Sequence, residues 1–471
     1  MSEEPLKFKE KFLFGISAIP DQLTYQVFQF LVFTYYFTVV RLPLVLIMTG
    51  YIIWGIWNSI NDPLVGALSE RTKYKKKWGK RRLYIIISVV PLSILMIFLF
   101  YMPFEASEKF AEFTYFLIVI VLFEFFYSTF NVNMNAIFPD QFPNIKKRAA
   151  TQIFRNITFV IALILGSLIP ALVISDLVPD NEAAIPRIKS EYLTMGIIVA
   201  IITLLAAIPF ALWGIKEKEE TLSEFEKRPS IIQSFKITLS SKNFLKFTIA
   251  NTMVWYCFTI LPLVMPIYAE HVLGVSKGAM LVGLSLMLAF IVAALSFPIH
   301  RKIALKIGVR NGMILSLILL IIILFPFFLI TGKEYQIIFM ITTALVGFPL
   351  GGTMFYIDLL HSDVIDEDAL KFGVRRGASF YGVMLFIQRS AVILVIITVG
   401  LMFGTIGWEQ EYNPVPEDPE LVILGLKSLL FIFPAIALTI AILLLKSYNL
   451  HGEKLQRMRE ELEKLPDLKT K

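Results

Sequence analysis

Apolar residues in this chain gather in long unbroken runs, and polar residues gather between them. About twelve runs can be marked, with edges good to several residues: 12–40, 44–69, 83–103, 112–138, 149–175, 191–214, 244–271, 278–300, 309–332, 335–360, 375–404 and 420–446. Each approaches or exceeds the roughly 20 residues that an α-helix needs to cross the hydrocarbon core of a bilayer. The pattern therefore predicts an all-α membrane protein of twelve transmembrane helices. A mixed-charge segment, 215–243, divides a first half, 1–214, from a second, 244–446, and a charged tail, 447–471, follows. Both charged pieces read as solvated cytoplasmic segments.

Composition agrees. Of 471 residues, 56% are hydrophobic and only 17% charged, with a mean hydropathy of +0.71. A soluble domain has less apolar surface to hide, so the surplus faces lipid. The net charge of +7 does not signal nucleic acid, because the basic residues lie mainly between the apolar runs, as cytoplasmic anchors do. Cys257, the one cysteine, sits in an apolar run and reads as a small buried hydrophobe, not part of a disulfide or zinc framework. The N-terminal Met1–Lys7 lacks the basic-then-apolar form of a cleavable signal, so the first run reads as a retained helix.

Orientation follows from the loops. Basic residues crowd after the second, fourth, eighth and tenth runs (Arg71–Arg82, Lys146 to Arg148, Arg301 to Lys306, Lys371 to Arg376), while the loop near Glu409–Glu420 is acidic. Counting positive charge on the inside places both termini in the cytoplasm. The halves also echo one another. Arg71 corresponds to Arg301, Asp140 to Asp366, and Arg148 to Arg376, each at an offset of roughly 225–230 residues. Two parallel six-helix repeats are the expectation, with a solute site at midplane between them. The echoing charges, Glu70, Arg71, Asp140, Arg148, Asp363, Asp366, Arg375 and Arg376, are candidates for a cytoplasmic gate that pairs across the bundle.

Several polar residues fall inside the runs. A carboxylate at membrane depth costs about 2.5–3.5 kcal/mol on insertion scales, so Asp62 is not expected to be idle there. Asn58 and Asp62 are four apart and share a helix face, and Pro63 frees a carbonyl one turn earlier. In the fourth run Glu124, Tyr127, Ser128, Asn131 and Asn135 recur at three- and four-residue steps, a stripe expected to face a water-filled cavity. Asp21, after Pro20, either caps a bend or meets solute. Arg155 either contacts solute or snorkels to the interface, and Arg389 is too deep to snorkel comfortably. Glu124 reads equally as a functional acid or a packing hydrogen-bonder, and Asp358, near a helix end, as solvated or gate-related. No Walker loop, zinc motif or nucleophile elbow is present, and the glycines of Gly347–Gly352 suit close helix packing. Neither catalysis, nor a metal, nor a cofactor is expected.

Trp57–Gly66 with Trp78-Gly79-Lys80-Arg81-Arg82, and the stretch from Asp363 through Asp368 to Lys371–Arg376, resemble two motifs of the glycoside–pentoside–hexuronide:cation symporters. That family is the melibiose permease branch of the major facilitator superfamily. The resemblance implies a monomeric, multi-pass transporter of the cell membrane that carries a sugar or glycoside with a cation by alternating access. It also assigns Asp62 to the cation site, Asp21 and Arg155 to sugar, and Tyr127 and Ser128 to site positions. Asn58 and Asn131 stand where sodium-coupled members carry aspartates, and Arg389 stands at a lysine position. Pro20 replaces a lysine, and Asn135 a tryptophan. With two negative charges lost, a sodium site built on three carboxylates is disfavoured, and a proton is the expected partner. Solute contacts are expected from Asp21, Tyr127, Asn131, Asn135 and Arg155, and cation coupling from Asn58, Asp62, Ser128, Arg389 and Glu124. The related animal lysolipid transporters share the Trp-x-x-x-x-Asp-Pro frame and the Pro20-Asp21-Gln22-Leu23-Thr24 pattern, which keeps an amphiphile as the alternative solute.

Overall fold

A computed structural model describes residues 7–72, 79, 81–104, 108–142, 145–217, 238–275, 278–372, 377–408, 412–415 and 417–463. Among these the chain is helical throughout its apolar runs. We number the helices α1 (Phe8–Gly15), α2 (Ala18–Thr34), α3 (Leu44–Arg71), α4 (Arg81–Phe98), α5 (Lys109–Gln141), α6 (Ile145–Val173) and α7 (Ile185–Pro209). They continue as α8 (Lys242–His271), α9 (Ala279–Ile307), α10 (Val309–Leu324), α11 (Gln336–Phe372), α12 (Gly377–Gln388), α13 (Ser390–Thr405), α14 (Pro419–Leu430), α15 (Ile432–Lys446) and α16 (Gly452–Glu463).

Eleven helical segments among the described residues are long and apolar enough to cross a bilayer. The first run, expected as one span over 12–40, is broken. It divides at Ile16–Ser17 ahead of Pro20, and widens into a π-helical turn at Tyr35–Val39. The run 375–404 likewise divides at Arg389, and 420–446 at Phe431. The helix of the run 335–360 is longer than its apolar part. It continues through the polar residues to Phe372, which puts Asp358 inside a helix and not near its end. Hydropathy loses a helix once it leaves lipid, although the backbone hydrogen bonds continue.

Packing follows the repeat. In the first half α5 packs on α3 and α4, and α6 on α1 and α2; in the second α11 packs on α9 and α10, and α12 and α13 on α8. The halves meet where α3 packs on α12 and α13, α6 on α9, and α2 on α8. If α3 corresponds to α9 and α6 to α12–α13, exchanging the halves converts the first of these pairings into the second.

The glycines of α11 do what helix packing requires. A Cβ on Gly347 or Gly351 would fall on the carbonyl oxygens of Ala289 and Ala293 of α9, so only hydrogen fits between the two backbones. At one end of the bundle, here called the Arg41 end, aromatic rings join the halves. Phe37 lies 5.2 Å from Phe403, 5.9 Å from Trp408 and 5.5 Å from Tyr412, centroid to centroid. On the same side of the molecule, Gly400 abuts Met48, Gly55 abuts Ile393, and Gly283 abuts Ser167 and Ala171.

Candidate solute and coupling site

Arg389 lies at the break between α12 and α13, held by a hydrogen bond from its backbone N–H to the Leu385 carbonyl at 3.0 Å. Its guanidinium reaches across to the first half. Nη2 donates to Asp62 Oδ2 at 3.0 Å and Nη1 to the Tyr25 hydroxyl at 3.2 Å. Both members of the ion pair are largely enclosed, at 16% and 19% side-chain exposure, so the contact is shielded from the screening that weakens surface pairs. The second oxygen of Asp62 accepts from Ser128 Oγ at 2.5 Å, and Ser128 Oγ also lies 3.1 Å from Glu124 Oε1. Asn61 donates to the Glu124 backbone carbonyl at 3.0 Å. Glu124 is fully buried, and the Trp54 indole lies close to its carboxyl without reaching hydrogen-bond geometry. Asn58 is also buried, and neither of its amide atoms finds a partner, Asp62 included.

A second cluster begins at Asp21, one helical turn before Tyr25. Asp21 Oδ1 accepts from the Tyr127 hydroxyl at 3.0 Å and from Asn131 Nδ2 at 2.6 Å, and Oδ2 accepts from Gln22 at 2.8 Å. Asn131 Oδ1 then accepts from Asn135 at 3.2 Å, and Asn135 Oδ1 accepts from Arg155 Nη2 at 2.9 Å. The guanidinium of Arg155 lies over the Phe138 ring, 4.9 Å from its centre, a cation–π contact. All five expected solute residues thus form one polar ladder. Tyr25 and Tyr127, stacked at 4.9 Å, join it to the Asp62–Arg389 cluster.

The two clusters make one surface of hydroxyls, amides and charges between α2, α3, α5, α6 and the α12–α13 break. Such a surface can hydrogen-bond a polyhydroxylated solute on several sides while an ion pair beside it opens or closes. Among the described residues, no group of three or more His, Cys, Asp and Glu side chains is arranged to hold a metal ion. Two contributors escaped the sequence reading. Tyr25 follows Asp21 by four residues, so helical spacing could have found it. Asn251 of α8, fully buried, donates to Gln388 at 2.9 Å beside Arg389, and only the fold brings these together.

The gate candidates are less complete. Arg375 and Arg376 lie outside the described residues. Glu70, Arg71 and Asp140 fall at the ends of α3 and α5, their side chains outside the description. Arg148 donates to the Phe142 carbonyl at 2.9 Å. Asp363 is buried in α11, and Asp366 of the same helix is partly exposed.

Residues 13–452 match the family model described as "MFS/sugar transport protein". The uncharacterized symporter YjmB of Bacillus subtilis is 22% identical over 94% of this chain and 92% of its own. The sodium-dependent lysophosphatidylcholine symporter 1-A of Danio rerio is 21% identical over 97% of this chain and 88% of its own. The solved nucleoside transporter NupG overlays with a TM-score of 0.63 at 13% identity, covering 93% of this chain and 99% of that one. These likenesses identify the helical bundle as the major facilitator fold, and a transporter, not an enzyme. The chain is a multi-pass integral membrane protein that belongs to the MFS/sugar transport family of symporters.

Proposed function

We propose that this protein is a monomeric, twelve-span symporter of the cell membrane that carries a sugar or glycoside-like solute together with a cation, a proton in preference to sodium. Phe8–Val39 counts as the first span, and the Arg82 end with both termini faces the cytoplasm. Residues 1–214 rock against 244–446, and 215–243 is their cytoplasmic linker.

One observation carries the reading: the Asp62–Arg389 pair bridges the two halves beside the Asp21–Asn131–Asn135–Arg155 ladder. An ion pair that spans a moving interface is a switch only if something binds its two states differently. Protonation of Asp62 removes its attraction for Arg389 and changes which cavity-facing state is favoured. The contacts of Phe37, Gly400, Gly55 and Gly283 support a state closed at the Arg41 end, hence inward-facing. A cation couple built on carboxylates has too few acids here for a sodium cage of three, because Asn58 and Asn131 are amides.

Likeness to the lysophosphatidylcholine symporter favours a second solute class, an amphiphile admitted from the side. Uptake into proteoliposomes under imposed proton and sodium gradients tests both. Labelled sugars accumulated on a proton gradient support the first reading. Lysolipid uptake without sugar uptake replaces it, and no uptake of either, in folded protein, refutes it.

A further inference from the structure

Counting hydrogens around Ser128 gives more than the ion pair does. Its hydroxyl has a single proton, yet Oγ lies within hydrogen-bond distance of two carboxyl groups, Asp62 Oδ1 at 2.5 Å and Glu124 Oε1 at 3.1 Å. A serine can donate to only one of them. It can accept from the other only if that carboxyl carries a proton. Asp62 faces the Arg389 guanidinium at 3.0 Å and is the natural carboxylate. Glu124 is fully buried, forms no ion pair among the described residues, and has beside it, apart from Ser128, the Trp54 indole, which is close but not in hydrogen-bond geometry. A bare carboxylate in that position would be very costly, whereas a carboxylic acid is not. The Ser128 hydroxyl makes no hydrogen bond to the backbone carbonyl of Glu124, so that oxygen does not divert its proton.

We propose that Glu124 is the resident proton site of this transporter, and that Ser128 relays its proton to Asp62. In the relay the Glu124 proton passes from Oε1 to Ser128 Oγ as the Ser128 proton passes to Asp62 Oδ1. The serine ends neutral, Asp62 becomes an acid that no longer holds Arg389, and Glu124 becomes a carboxylate that the freed Arg389 guanidinium compensates. The negative charge moves from Asp62 to Glu124, and no other reactant is needed. Other ionisable groups face this site from each neighbouring helix. α3 contributes Asp62, α2 Asp21 and Tyr25, α5 itself Tyr127, and the α12–α13 break Arg389. α4 carries titratable residues only at its Arg81 end, Arg81, Arg82 and Tyr84. Arg389, the cation among these that faces Glu124, is engaged by Asp62.

This assignment rests on the symporter reading for its purpose, but its test does not require transport. Infrared difference spectra of the purified protein in lipid, taken across a pH titration, show carboxylic acid C=O stretching separately from carboxylates. The expected result is an acid band near neutral pH that Glu124→Gln removes and that Asp62→Asn combined with Arg389→Gln, which frees no cation, leaves in place. Ser128→Ala, a smaller change, is expected to keep the band but shift it, because the acid loses its acceptor. A band that survives Glu124→Gln, vanishes in Asp62→Asn with Arg389→Gln, or stays unshifted in Ser128→Ala overturns the assignment. Should Glu124→Gln fail to fold, the Ser128→Ala shift decides alone. An intact band in a protein that never accumulates solute on a proton gradient would fault the symporter reading and leave the proton site standing.

Discussion

Gly283 offers a direct test of the closed Arg41 end. A Cβ added there would lie 2.6 Å from the Ser167 carbonyl oxygen and closer still to Ala171 Cβ. Ordinary contact is about 3.5–4.0 Å, so α6 and α9 must separate by about 1 Å to admit a single methyl. Both obstacles belong to small residues or backbone and neither can swing aside. Overpacking of this kind costs about 1–3 kcal/mol. Because the strain exists only while the two halves are pressed together, Gly283→Ala should shift the two-state equilibrium toward the open Arg41 end by about 5- to 150-fold. Spin labels on Asp180→Cys and Val415→Cys, exposed residues that line one cleft at that end from opposite halves, would read the gap by their dipolar coupling. The native Cys257 is fully buried and takes no label in the folded protein. Gly382 supplies the control. A Cβ there meets nothing within 4 Å, so Gly382→Ala should leave the coupling unchanged. An unaltered coupling in folded Gly283→Ala would refute the argument that this contact seals one state.

Three further outcomes are expected. Arg389→Gln strips Asp62 of its cation and should lower stability by about 3 kcal/mol, as removal of one partner of a buried pair does; adding Asp62→Asn should recover much of it, a non-additivity readable from unfolding of the purified protein. Asn135→Ala cuts the ladder between Asn131 and Arg155, and should weaken solute affinity about tenfold in binding titrations with whichever solute the uptake assay identifies, with little change in the melting temperature. Gly347→Val drives a branched side chain into the Ala289 carbonyl and should prevent recovery of monodisperse protein in gel filtration.

Much of this is legible in the sequence because lipid imposes strong rules. Runs of apolar residues give spans, and a polar group within a run needs a partner. Asp62 and Arg389 are 327 positions apart, yet each is conspicuous at its own depth, and they meet. The stripe from Glu124 to Asn135 is visible by its spacing, and its members form the ladder and the relay. What spacing cannot supply is pairing across helices. Asn58 shares a face with Asp62 but makes no bond to it, because Asp62 turns both oxygens to Arg389 and Ser128. The breaks at Ile16–Ser17, Arg389 and Phe431 interrupt the regular helix inside apolar sequence, where hydropathy does not change. Gln388 and Asn251 are silent because each looks like an isolated amide until the fold joins them.

The central claim is that Asp62 and Arg389 convert a cation gradient into solute movement. Its most direct measurement compares Asp62→Asn with the unaltered protein in proteoliposomes, following solute accumulation on an imposed pH gradient and exchange without one. Lost accumulation with exchange retained is the expected result. Full accumulation by Asp62→Asn would contradict the account.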